Sequence, residues 1–95
     1  MQRFEKIPVP LYGLGTCVIS IPEPARVVGC ERSKTNGTDD VFLLTVTPDT
    51  LGNFRTIEVY FQDVNSPVSN NWKWLGELFD PSGMPFAVWW REQDV

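Results

Sequence analysis

Four tryptophans stand between positions 72 and 90, at Trp72, Trp74, Trp89 and Trp90, and Arg91 follows the last of them. Indole rings beside a guanidinium offer two kinds of chemistry. A ring stacks on a nucleobase, worth about 1–3 kcal/mol per base, or it anchors a protein interface, where Trp, Tyr and Arg dominate the binding energy. Tyr60 adds a further ring, and Arg55 a second cation suited to phosphate or carboxylate. The candidate binding set is therefore Tyr60, Trp72, Trp74, Trp89, Trp90, Arg91 and Arg55. Against it stands a structural expectation, in which three of the indoles are core and one is partly exposed.

Other chemistry finds little material. Histidine is absent, which removes the commonest general base and transition-metal ligand. Two cysteines, Cys17 and Cys30, are too few for a structural zinc site. Asp39 and Asp40 are adjacent at the end of a polar loop, and Glu92 and Asp94 lie in a tail. Neither pair has the burial that separates the pKa values of an acid/base pair. Gly13-Leu-Gly15 precedes a strand, whereas a phosphate loop opens a helix, and is read as a turn. Asp80-Pro-Ser-Gly83 is also a turn, and Ser82 has no histidine to activate it. No metal and no cofactor is expected. An enzyme built on Asp, Glu or Lys would require a pocket of converging polar groups.

The chain has 95 residues, of which 42% are apolar and 21% charged, with a formal charge of −4. These values describe a folded single domain spanning 1–95 rather than a disordered chain. Scattered Lys and Arg with net negative charge argue against general binding to a nucleic-acid backbone. No apolar run approaches the ~20 residues that cross a bilayer, and residues 1–7 lack the apolar centre of a signal peptide. The expected setting is a cytoplasm, where the sequon Asn36-Gly-Thr38 has no meaning.

The elements that must position the rings are strands. Eight prolines and seven glycines interrupt runs rich in Val, Ile, Thr, Phe, Tyr and Trp, and no segment holds a helical period. Seven strands are predicted, over 3–7, 16–21, 26–32, 41–47, 54–62, 72–79 and 85–91. Their spacing indicates an all-β fold, a small antiparallel sandwich or barrel, with single helical turns conceivable at 48–53 and 67–71. Taking residues 22–25 as a hairpin loop sets Ile19 opposite Val28 and Cys17 opposite Cys30, two buried thiols or a disulfide. The fourth strand is apolar on both faces, as in a central strand covered on each side. The fifth alternates, turning Ile57, Val59 and Phe61 inward and Glu58, Tyr60 and Gln62 to solvent, so Tyr60 is the expected exposed aromatic. The loop 33–40 is polar and read as mobile. Trp72 and Trp74 share a face of their strand, whereas Trp89 and Trp90 must diverge.

Taken in order, Ile7-Pro-Val-Pro-Leu11, Ile19-Ser-Ile-Pro-Glu-Pro-Ala-Arg26, the strands at 41–47 and 55–61, Trp74-Leu-Gly-Glu77 and Ala87-Val-Trp-Trp-Arg-Glu92 resemble a family of short, uncharacterised proteins of tailed phages and prophages. The family pattern is a proline-flanked start, an Ile-x-x-Pro-x-x-Ala turn, a Leu-Gly strand and a closing Val-Trp motif. The likeness spans about nine-tenths of the chain in short pieces. It departs at Gln62-Asp-Val-Asn65, where the family has a Gly-Thr-Gly-His-like segment, and at Trp90, where the family often has histidine. The resemblance implies a phage origin and no established activity, and it adds a setting, the host cytoplasm, where small phage proteins often serve as accessory factors that bind and disable host machinery. On that reading the chain is non-enzymatic and acts by binding, inhibiting or sequestering a host defence protein or a small nucleotide signal. The alternative is a virion or assembly module acting through homo-oligomerisation.

Overall fold

The computed structural model describes residues 2–35, 38–48, 52–68 and 70–93. Seven strands follow in order: β1 (Gln2–Pro8), β2 (Gly15–Pro22), β3 (Arg26–Thr35), β4 (Thr38–Pro48), β5 (Phe54–Asp63), β6 (Lys73–Phe79) and β7 (Pro85–Glu92). They make two antiparallel sheets, a three-stranded one ordered β1-β4-β3 and a four-stranded one ordered β2-β5-β7-β6. The two pack face to face as a small β-sandwich, as the turn spacing predicts. No helix among the described residues is long and apolar enough to cross a membrane.

Alternation along the strands builds the core. Ile19 and Ile21 of β2, Ile57, Val59 and Phe61 of β5, and Phe86 and Val88 of β7 turn inward from the larger sheet. Val41 and Leu43 of β4 meet them from the smaller one. Ile21, Leu43, Ile57, Val59 and Val88 are fully buried, each worth ~1.5–3 kcal/mol over leaving it in water. Thr45 and Thr47 extend the inner row of β4, their buried hydroxyls without a hydrogen-bond partner among the described residues.

Long-range pairing departs from the sequence expectation at the β2–β3 connection, which is no hairpin. β2 pairs with β5, setting Cys17 opposite Val59, and β3 pairs with β4, setting Cys30 opposite Leu43. The chain changes sheets over Glu23-Pro24-Ala25. There Glu23 N donates to Asn53 O at 2.7 Å and Ala25 N to Pro22 O at 2.9 Å. A loop length compatible with a hairpin yields because β5 offers buried positions to Ile19, opposite Ile57, and to Ile21, opposite Arg55. The thiols are free. Burial raises both above the ordinary thiol pKa, Cys30 to about 11.

Three further expectations are corrected. Gln62 is buried instead of facing solvent, because its amide Nε2 donates to Ser66 O at 3.1 Å and Pro67 O at 2.8 Å, tying the β5–β6 connection over the sheet. The polar segment 33–40 is mostly strand: β3 continues to Thr35 and β4 begins at Thr38, while Asn36 and Gly37 lie outside the described residues. β4 is central, yet among the described residues its outer face is covered only in part: Val46 is buried, Phe42 and Leu44 are half-buried, and Lys6 lies 5.1 Å over the Phe42 ring. Of the two conceivable helical turns, 49–51 and Ser69 lie outside the described residues, and their described neighbours are not helical. The 80–83 turn forms as expected, with Gly83 N bonded to Asp80 O at 2.9 Å.

Candidate functional site

Register brings most of the candidate residues to one place. Tyr60 of β5 stands directly opposite Trp89 of β7, and Trp89 opposite Trp74 of β6. All three therefore lie across the outer face of the four-stranded sheet. Trp74 and Trp89 meet edge to face with centroids 5.1 Å apart, an arrangement the ring quadrupoles favour. Trp72, just before β6, folds back over the same face. Its ring lies 5.3 Å from that of Tyr60 and 4.0 Å beneath the Arg91 guanidinium. Arg91 is fixed from the other side by Glu58, its cross-strand partner, through a 3.1 Å hydrogen bond from Nε.

The result is a contiguous patch of Tyr60, Trp72, Trp74, Trp89 and Arg91. Trp74 is its exposed ring, at 55%. Tyr60, expected to stand free, is half-buried under Trp72. The Trp89 indole N–H is buried and has no acceptor among the described residues. Val18 of β2 adds an exposed apolar side chain opposite Glu58 on the same face.

Trp90 and Arg55 do not join this group. Trp90 points to the opposite face, where it packs against the core with the Lys73 ammonium 4.6 Å over its ring. Of the adjacent pair, Trp89 is the outward ring. Arg55 is committed to backbone: Nη1 donates to Pro22 O at 3.2 Å, to Ala25 O at 2.9 Å and to Glu23 O, while Nε donates to the Glu92 carboxylate at 2.9 Å. Its guanidinium holds the change of sheets together and is not offered to an anion.

Glu58 is the functional neighbour that sequence reading passed over. Its alternation with Tyr60 was visible, but its meeting with Arg91 depends on the β5–β7 register. Among the described residues no three His, Cys, Asp or Glu side chains gather as a metal site. Compared with protein-family models, curated proteins and solved structures, the chain matches none.

Proposed function

We propose that this chain is a non-enzymatic binding protein that docks a partner protein on the outer face of its four-stranded sheet. The observation that carries the reading is the gathering of Tyr60, Trp72, Trp74, Trp89 and Arg91 on one face, with Trp74 standing exposed. Such residues supply the energetic centre of protein interfaces. A nucleotide is the weaker fit, because each arginine near this face already meets a carboxylate that would oppose a phosphate. Arg91 is held between Glu58 and the Trp72 ring, and Arg55 is bound to carbonyls and Glu92. The resemblance to short tailed-phage proteins supports a host protein, such as a defence component, as the partner, met in the host cytoplasm.

The test is photo-crosslinking in the cell, with a benzophenone amino acid at position 74 and, as control, at position 4 on the outer face of the other sheet. The expected result is one discrete adduct with a different protein from position 74 and none from position 4. Adducts at twice the chain mass would instead support an assembly module joined to copies of itself. Absence of any adduct at position 74 would remove the aromatic face as a docking surface.

A further inference from the structure

One end of the sandwich is open, and four connections converge on it. Leu11, Tyr12 and Leu14 come from the β1–β2 loop, Asp39 and Asp40 from the β3–β4 hairpin, Asp63 and Val64 from the end of β5, and Asp80 and Met84 from the β6–β7 turn. Between them lies a cleft of about 550 Å³, within the range of small-molecule sites. Its floor is the end of the core: Val41, Phe61 and Phe86, all buried, with the two phenyl rings tilted at 5.1 Å. Its rim carries apolar side chains in water, Tyr12 at 85% and Met84 at 63% exposure.

The charge of this cleft is one-sided. Among the described residues a single arginine, Arg32, lines it with four aspartates. The Arg32 guanidinium is consumed, with Nε donating to Asp39 at 2.8 Å and Nη1 bonded to Phe79 O. That leaves Asp40 and Asp63 uncompensated, while the Arg32 charge also reaches Asp80. Asp40 takes no ion-pair or hydrogen-bond partner among the described residues. Asp63 spends one oxygen on Asn65 N at 2.9 Å. Asp80 spends the same oxygen, Oδ1, on Ser82 N, Ser82 Oγ and Met84 N. An apolar cavity under a negative rim attracts a positive head on an apolar body. A metal ion is not that ligand, since these carboxylates do not gather into a metal-binding group.

We propose that this cleft binds a small organic cation with an aromatic body, of the arylalkylamine class. The ring enters against Phe61 and Phe86, and the ammonium stays at the mouth beside Asp40 and Asp63. The site is separate from the aromatic patch: within β7, Phe86 faces the cleft and Trp89 the opposite side of the sheet.

Tryptamine is a direct probe, with tryptophol and indole-3-propionate as its neutral and anionic counterparts. In a titration followed by amide NMR of the intact chain, tryptamine should give saturable shifts at Val41, Phe61 and Phe86. Tryptophol should bind more weakly and indole-3-propionate not at all. Asp40→Asn and Asp63→Asn should each weaken tryptamine about fivefold or less, and the double variant by more. Val64→Lys, which adds a cation at an exposed rim position, should weaken it without altering the free spectrum beyond its neighbours. The proposal is overturned if tryptamine gives no saturable shift at the floor residues. Equal binding of all three probes, indifference to the Asp and Lys variants, or shifts confined to Tyr60 and Trp89 would overturn it as well.

Discussion

A guanidinium carries five N–H donors in a fixed fork, and Arg55 spends them on its own chain. Three carbonyls of residues 22–25 and the Glu92 carboxylate converge on it. These bonds to a charged donor replace water at the bend where the chain leaves one sheet for the other. Arg55→Ala should therefore cost about 2 kcal/mol of stability, the scale of lost charged hydrogen bonds, read as a lower urea midpoint. Arg55→Lys should recover less than half of that, because an ammonium does not reproduce the fork. The outer-face residues obey the opposite rule. Trp74 is mostly exposed, so Trp74→Ala should lower the unfolding free energy by no more than about 1 kcal/mol, the scale of its edge-to-face contact with Trp89, while abolishing partner capture. Separation of the two effects would distinguish a binding residue from a supporting one.

At the scale of elements, β6 approaches β3 across the sandwich through a glycine. A Cβ built on Gly76 would lie 3.1 Å from Cys30 Sγ, closer than comfortable packing. Two forces then compete in Gly76→Ala. Alanine restricts the unfolded chain, a gain of ~0.4–1 kcal/mol, but it overpacks against sulfur, a loss of ~1–3 kcal/mol. The net expectation is destabilisation by about 1 kcal/mol. In a Cys30→Ala background the obstacle is gone, and the same change should be neutral or stabilising. A double-mutant cycle by urea denaturation measures this coupling.

These elements also mark how far a sequence can be read. All seven strands were legible, within a few residues at each end, because period-2 alternation and Pro/Gly punctuation are local properties. Partner choice was not. Cys17 and Cys30 stood opposite each other only if residues 22–25 formed a hairpin, and the buried pairing of Ile19 and Ile21 with β5 outweighed that local convenience. The divergence of Trp89 and Trp90 was legible from alternation, though which ring faced outward was not. The convergence of Trp72 with Tyr60 and Arg91 depends on how the described residues 64–68 and 70–72 lead from β5 to β6. No pattern within that segment announces the path; Gln62, the residue that ties it down, reads as an ordinary exposed polar position.

For the whole molecule, acid is the informative stress. Asp39 titrates below the usual carboxylate range, chiefly because Arg32 hydrogen-bonds to it. Asp80 does so chiefly because the Ser82 hydroxyl and the Met84 N–H bond to its carboxylate. Each carboxylate holds a proton less readily folded than unfolded. Their contribution is therefore complete above the ordinary carboxylate range and is lost as pH falls through the lowered folded-state values. Urea midpoints measured from neutral to strongly acidic pH should decline over that interval. Asp80→Asn should flatten part of the decline, and an unchanged slope would show that the turn bonds do not hold the carboxylate down.

The exchange of sheets at Pro22–Ala25 also sets an order of events. Neither sheet is a contiguous stretch of chain: β1, β3 and β4 make one, and β2, β5, β6 and β7 the other. Each contains one hairpin that closes locally, β3–β4 and β6–β7. β1 must find β4, and β2 must find β5, across long intervening segments, and closing such loops is the slow part of folding. The time the chain takes to become competent should thus be set by the docking of its first strands more than by the β6–β7 hairpin that carries Trp74, Trp89 and Trp90 and can close early.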